Sequence, residues 1–95
     1  MNSEEAVTAR QSDLSRADAI GKLLIRPIAI LPKVVGDPIK PFVIGLWNDI
    51  QPLRRTDVSS TALRRALGAY LHSKAYFLAL AQPGAFRFDL DGSRD

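Results

Sequence analysis

The clearest pattern of apolar and polar positions lies in the second half of the chain. Its apolar residues recur at i, i+3, i+4, i+7 and i+8, the spacing that places side chains on one face of an α-helix; they are Leu63, Ala66, Leu67, Tyr70 and Leu71. Ser59 precedes this run, where its hydroxyl can accept a hydrogen bond from the first turn. The pattern predicts a helix after Ser59, with Arg64, Arg65 and Gly68 on its solvent-facing side.

A second short helix is predicted to follow from Lys74 to about Ala81, because Ser73 can cap its start and Pro83-Gly84 ends it. The helix is expected to bury some of its larger apolar side chains, which are Tyr76, Phe77 and Leu80.

Capping signals and prolines divide the first half of the chain. Ser15 and Asp18 have the spacing of a capping box, which predicts a first helix from about Arg16 to Ile25 that Pro27 disrupts. Residues 1–13 are polar and are expected to form a flexible N-terminus.

A further helix is predicted directly after Pro41, since proline is favoured in the first turn of a helix. Its apolar positions suit a buried helix; they are Phe42, Leu46, Trp47 and Ile50. We expect Trp47 to belong to the core.

The C-terminal segment alternates apolar and polar residues from Phe86 to Asp91, which predicts a short strand, and Asp91-Gly92 is typical of a hairpin turn. Only Ser93 to Asp95 remain to form a returning strand. The predicted fold is therefore mainly α with a small β element (α+β). Four or five short helices and one short strand or hairpin form a single domain over residues 14–95.

Composition narrows the possible functions. The chain has 95 residues and no cysteine, which excludes disulfides and thiolate metal sites. Residues 21–88 carry ten Lys or Arg against three Asp, a net charge of +7, whereas both ends are acidic. A basic centre suggests a polyanionic partner. No secretory signal or membrane-spanning stretch is evident, so we expect a soluble, cytoplasmic protein.

Candidate catalytic groups are few. The single His72 lies between two predicted helices without a neighbouring nucleophile pattern. Asp89 and Asp91 share one face of the predicted strand, but Asp-x-Asp-Gly before a turn is more typical of turn chemistry than of a carboxylate pair. We expect a protein that is not an enzyme and that uses no cofactor, metal or small-molecule substrate.

Basic and aromatic residues of the second half favour a binding function. Arg64 and Arg65 lie near the start of a capped helix, Tyr76 lies on the next helix, and Arg87 follows on the polar side of the strand. If these elements pack as neighbours, arginine can hold a phosphate while tyrosine stacks on a base. The alternative is that Tyr76 is a core aromatic and that the arginines form a solvated face.

Four segments in order resemble motifs of the FinO/ProQ family of bacterial RNA chaperones. Residues 41–50 (PFVIGLWNDI) resemble its P-L-x-I-G-I-x-x-D-I stretch, and residues 59–70 (SSTALRRALGAY) resemble its L-R-x-A-L-x-x-Y helix. Residues 72–77 (HSKAYF) are similar to its S-x-x-Y-L helix, and residues 83–92 (PGAFRFDLDG) resemble its P-G-A-x-R-x-D-L-D-G signature.

The resemblance implies an RNA chaperone of post-transcriptional regulation that binds small RNAs and messenger 3′ ends, typically hairpins with a single-stranded 3′ tail. It implies RNA contacts from Arg64, Tyr76, Arg87 and Lys40, with Tyr76 and Arg87 near the pocket for the 3′ end. The chain departs from the best-known member at Val43, Ser60 and Gly68, which stand where that member has basic residues. Arg65 and Lys74 are expected to compensate. The full set of expected RNA-binding residues is Arg64, Tyr76, Arg87, Arg65, Lys40, Lys74 and Ser59.

Two alternative functions stay open. The helices after Ser59 and Ser73 resemble a helix-turn-helix of a DNA-binding module, although the second helix carries only Lys74 as a basic residue. The other alternative is a protein-interaction module that uses the apolar faces around Phe77 and Leu80. A monomer is expected for each of these functions.

Overall fold

A computed structural model describes residues 7–94, and its regular elements are helices. They are α1 (Gln11–Gly21), α2 (Leu46–Ile50), a 3-10 helix (Gln51–Leu53), α3 (Ser60–Leu71) and α4 (Lys74–Ala81). The Cα radius of gyration is 13.0 Å, close to the roughly 13 Å of a compact 100-residue domain. The mainly helical class and the number of helices are as predicted.

Helix α1 begins five residues before the predicted start, because a carboxylate other than the predicted one caps it. Oδ2 of Asp13 accepts a hydrogen bond from the Arg10 backbone N–H at 2.9 Å. Ser15 instead donates its hydroxyl to the carbonyl of Gln11. Of the segment predicted to be flexible, residues 1–6 lie outside the described residues. Residues 7–9 hydrogen-bond through their backbones to residues 36–39.

The end of α1 is also earlier than predicted, at Gly21 rather than Ile25. The backbone beyond it pairs with a distant segment: Ile25 N–H donates to the Leu53 carbonyl at 2.8 Å, and Arg55 N–H donates to the Leu23 carbonyl at 2.9 Å. These partners replace helical hydrogen bonds, so the chain leaves the helix before Pro27.

The helix predicted directly after Pro41 begins only at Leu46. Gly45 precedes it with φ of 87°, a left-handed conformation that glycine adopts without steric cost. The backbone before Gly45 makes a hydrogen bond outside the helix, since Val43 N–H donates to the Phe88 carbonyl at 3.0 Å. Proline therefore marks the start of an extended segment here, not the first turn of a helix.

Helices α3 and α4 follow the sequence pattern closely. The Ser59 hydroxyl accepts from Ala62 N–H at 3.0 Å, and the Ser73 hydroxyl accepts from Tyr76 N–H at 3.2 Å. The predicted apolar face of α3 points inward, with Leu63, Leu67 and Tyr70 buried and Ala66 and Leu71 half-buried. On α4 only Tyr76 of the predicted apolar set is buried; Phe77 is 66% exposed and Leu80 38%.

The predicted C-terminal strand is not formed. Within residues 7–94, Phe88 makes only isolated bridges, parallel to Phe42 and antiparallel to Arg94. The predicted turn is present: Gly92 has φ of 78°, and its N–H donates to the Asp89 carbonyl at 2.9 Å. Phe86, which strand alternation would place beside Phe88, is exposed. A segment with one bonded residue on each side has too few ladder bonds to be a strand.

The core unites all four α-helices with the irregular segments between them. Its largest fully buried side chains are Tyr70, Ile20, Ile30, Ile50 and Leu63. None of the helices in the described part of the chain has the length and apolar character needed to cross a membrane.

Candidate functional site

The backbone of Phe42 is held by two side chains from the C-terminal half. Its N–H donates to the Tyr76 hydroxyl at 2.8 Å, and its carbonyl accepts from Nη1 of Arg87, also at 2.8 Å. These two bonds place the phenol oxygen of α4 and the guanidinium of the following loop beside the same peptide segment. The geometry brings together two of the residues that the sequence suggested for a common site.

The ring of Tyr76 lies in the core rather than on the surface. It is 4% exposed, stands edge-on to Phe42 at a centroid distance of 5.6 Å, and packs against Tyr70 at 5.8 Å. The predicted stacking of a base on this ring therefore has no free ring face. The Tyr76 hydroxyl lies beside the Phe42 peptide, and the residue is one of those that line the neighbouring pocket.

An open pocket of about 720 Å³ lies next to this arrangement, between α2, α3 and α4. Its floor is apolar, and its polar lining comes from the side chains of Arg64, His72, Tyr76 and Arg87. No acidic residue is among the described residues that line it. Two arginines without a lining carboxylate make the pocket suited to an anionic ligand with an apolar part, such as a nucleotide.

Trp47 forms one wall of this pocket, although the sequence pattern placed it in the core. It is half-buried, and the guanidinium of Arg64 lies over its ring at 4.6 Å. A cation–π contact of this kind holds a flexible arginine in place. No periodicity predicts this pair, because it joins two helices whose packing angle is a tertiary property.

The remaining predicted residues lie outside the pocket. The Ser59 hydroxyl accepts a hydrogen bond in the α3 cap. Arg65 and Arg64 both line a groove at the start of α3. Nζ of Lys40 lies 3.4 Å from the Gly92 carbonyl and over the Phe88 ring at 5.5 Å. Lys74 lines a different groove, next to α1. The pocket thus unites Arg64, Tyr76 and Arg87 but not the other four.

The candidate catalytic groups do not converge. Oδ1 of Asp89 accepts hydrogen bonds from the N–H groups of Asp91 and Ser93, both at 3.0 Å, which is turn chemistry. His72 follows α3 as its C-terminal cap and borders the pocket. Within residues 7–94 no group of three or more His, Asp or Glu side chains is placed to hold a metal ion.

Burial governs the ionisation of the two tyrosines. It raises the pKa of Tyr76 above the ordinary value, while the Phe42 N–H bond and the Arg87 charge act in the opposite direction. Burial also raises the pKa of Tyr70, and the negative charge of Asp13 adds to the effect. Both phenols are therefore neutral well beyond neutral pH.

We predict that the free energy of unfolding falls as the pH rises above about 10, the ordinary tyrosine pKa. The unfolded chain ionises its tyrosines first, so stabilisation from the neutral phenols is complete below that pH and is lost as the pH passes the raised pKa values. Urea unfolding at several pH values between about 8 and 11 measures this. Tyr70→Phe removes the tyrosine whose pKa is raised more strongly. The free energy of unfolding of this variant should therefore fall less steeply at alkaline pH, and an unchanged pH profile would contradict the assignment.

Comparison with known families agrees with the motifs. The family model described as the ProQ/FINO family matches residues 17–94, which is most of the chain and includes every residue that lines the pocket. Comparisons with the curated proteins and with the solved structures give no significant match. The chain therefore belongs to the ProQ/FINO family, a family of RNA-binding proteins.

Proposed function

We propose that this protein is an RNA chaperone that binds hairpins through their single-stranded 3′ tails in bacterial post-transcriptional regulation. The observation that carries the proposal is the pocket in which Arg64, Tyr76 and Arg87 line one largely apolar cavity without a lining carboxylate. An unpaired nucleotide offers the matching chemistry, with an apolar base and a charged phosphate. The proposed setting is cytoplasmic, and the proposed form is a monomer that needs no cofactor.

Each polar group has a proposed role. Arg87 keeps N–H groups beyond the one donated to Phe42, and these bind a backbone phosphate of the tail. The Tyr76 hydroxyl already accepts from Phe42 N–H, so its own hydrogen donates to a sugar oxygen at the RNA end. Arg64, held against Trp47, binds a second phosphate or stacks on the base.

Helix α3 provides the adjoining surface for the stem. The groove at its start is lined by Ser60, Thr61, Arg64 and Arg65, where backbone N–H groups and arginine side chains both favour phosphate. We propose that the stem backbone lies along this groove while the tail enters the pocket, since Arg64 borders both. Lys40 is proposed to contribute positive charge from the neighbouring loop.

A protein-interaction module is the second candidate function, and exposed apolar side chains favour it. On α4 and the loop after it, Phe77 is 66% exposed and Phe86 52%. The same exposure argues against a DNA-reading role for α4, because a recognition helix needs polar and basic side chains toward the bases. The binding experiment below separates the candidates.

We predict that a hairpin with a single-stranded 3′ tail binds at least about tenfold more tightly than the blunt hairpin, because one charge-assisted hydrogen bond contributes roughly 1.5–3 kcal/mol. The matched control carries the same tail at its 5′ end, with equal length and charge. Trp47 is the only tryptophan and lines the pocket, so its fluorescence reports occupancy directly. Equal affinity for both tailed hairpins, or tighter binding of duplex DNA, would contradict the proposal.

A second prediction concerns Arg87. Arg87→Ala should weaken binding of the 3′-tailed hairpin more than tenfold, with little effect on the blunt hairpin. Because its bond to the buried Phe42 carbonyl is also lost, the free energy of unfolding should fall by roughly 1–3 kcal/mol. Affinity is measured by fluorescence and stability by urea unfolding on the same samples.

Two variants serve as controls for this experiment. Arg26→Ala removes an equal charge from an exposed site outside the pocket. Phe88→Ala removes a half-buried ring and should lower stability before it affects binding. If Arg87→Ala binds the 3′-tailed hairpin as tightly as Arg26→Ala does, Arg87 has a structural role only.

A further inference from the structure

A second concentration of positive charge lies on the other side of α4. Arg10, Arg16 and Lys74 line one groove of about 560 Å³ between the start of α1 and the start of α4. The sequence gives no hint of it, because Arg10 and Arg16 belong to an end segment whose net charge is negative. Folding brings these two arginines to Lys74, some sixty residues later in the chain.

The one acidic side chain lining this groove is already engaged. Asp13 is 3% exposed; its Oδ2 accepts from the Arg10 N–H at 2.9 Å, and its Oδ1 lies 3.5 Å from Nη1 of Arg16. The side chains of Arg10 and Lys74 are exposed, and neither forms an ion pair with a carboxylate among residues 7–94. Counting the described residues that line it, the groove therefore has a net positive charge.

This groove and the Tyr76 pocket use opposite faces of α4. Ala75 and Leu78 line the groove, whereas Tyr76 and Leu80 line the pocket. At 3.6 residues per turn these two pairs point in nearly opposite directions, and the helix between them is about 10 Å thick. One phosphate cannot contact both sites. Arg10 and Arg16 also precede the segment that the family model matches, residues 17–94.

We propose that Arg10, Arg16 and Lys74 form a second RNA-binding site, which holds phosphodiester groups of the backbone outside the Tyr76 pocket. The inference rests on the proposed function, since an RNA held at the pocket raises the local concentration of its other phosphates around α4. Arginine suits this ligand because its planar fork donates two parallel hydrogen bonds to one phosphate. An extended RNA then contacts the domain on two faces.

The test compares two double variants that remove the same charge. Arg10→Gln/Lys74→Gln alters the groove, and Lys22→Gln/Arg26→Gln alters exposed positions that line neither site. Arg16 is kept because its partner Asp13 is buried and its loss threatens the fold. Both variants should melt at the temperature of the unmodified protein, since the replaced side chains are exposed.

The readout is the affinity for a long-stemmed, 3′-tailed hairpin at several salt concentrations. Each phosphate contact contributes about 0.7–0.9 to the slope of log affinity against log salt, so the groove variant should lose about 1.4–1.8 of slope. The control variant should keep the slope of the unmodified protein. A polyglutamate chain of equal charge, assayed in parallel, distinguishes an RNA site from one for an acidic protein.

The outcomes separate this inference from the proposed function. An unchanged slope in the groove variant, with tail preference intact, would overturn the second site alone. Loss of polyglutamate binding without loss of RNA binding would overturn it in favour of an acidic protein partner. If Arg87→Ala binds the tailed hairpin normally while the groove variant loses slope, the pocket fails and the second site stands. If the unmodified protein binds no RNA, both fail.

Discussion

The peptide groups on either side of Phe42 join α4 and the loop after it to the first half of the chain. Tyr76 lies 34 residues away and accepts the Phe42 N–H, and Arg87 lies 45 residues away and donates to the Phe42 carbonyl. A buried backbone group without a partner costs about 1–3 kcal/mol, so each bond constrains where its side chain sits. Phe88 adds backbone bonds to Pro41 and Val43 around the same residue.

The aromatic cluster of Phe42, Tyr70 and Tyr76 restricts the motion of the groups that form these hydrogen bonds. Phe42 stacks on Tyr70 at 5.9 Å and meets the edge of Tyr76 at 5.6 Å, so rotation of the Tyr76 ring is restricted by its neighbours. The hydroxyl and the Arg87 guanidinium are therefore held beside the pocket before any ligand arrives. Under the proposed function, Tyr76 and Arg87 bind the RNA end and also stabilise the fold through their hydrogen bonds to Phe42.

The sequence predicts those parts of the molecule that local chemistry decides. Ser59 and Ser73 cap α3 and α4 with their own hydroxyls, so both helix starts follow from the chain. The prediction from sequence fails where the cap position carries no recognised capping residue and where bonding partners are distant along the chain. The start of α1 depends on Asp13 bonding to a backbone group of Arg10, a residue type that gives no capping signal. Within the predicted C-terminal strand, Phe88 is the one residue that forms a bridge to another part of residues 7–94.

The candidate site also contains residues that the sequence predicts and residues that depend on tertiary packing. Arg64, Tyr76 and Arg87 follow from motifs in order along the chain, but the role of Trp47 depends on how α2 packs against α3, which periodicity does not contain. The sequence does not predict the groove of Arg10 and Lys74 either. These residues lie in segments of opposite net charge, and only folding brings them together.

Under the proposed function, an RNA 3′ end binds where Tyr76 and Arg87 hold Phe42. The most direct measurement is a nuclear magnetic resonance titration of isotope-labelled protein that follows the Phe42 amide, whose N–H bonds to the Tyr76 hydroxyl. We expect a 3′-tailed hairpin to shift the Phe42 amide resonance and the same hairpin without its tail to leave the resonance in place. A Phe42 resonance that stays unmoved while the tailed hairpin binds tightly would show that the RNA end does not bind at this site.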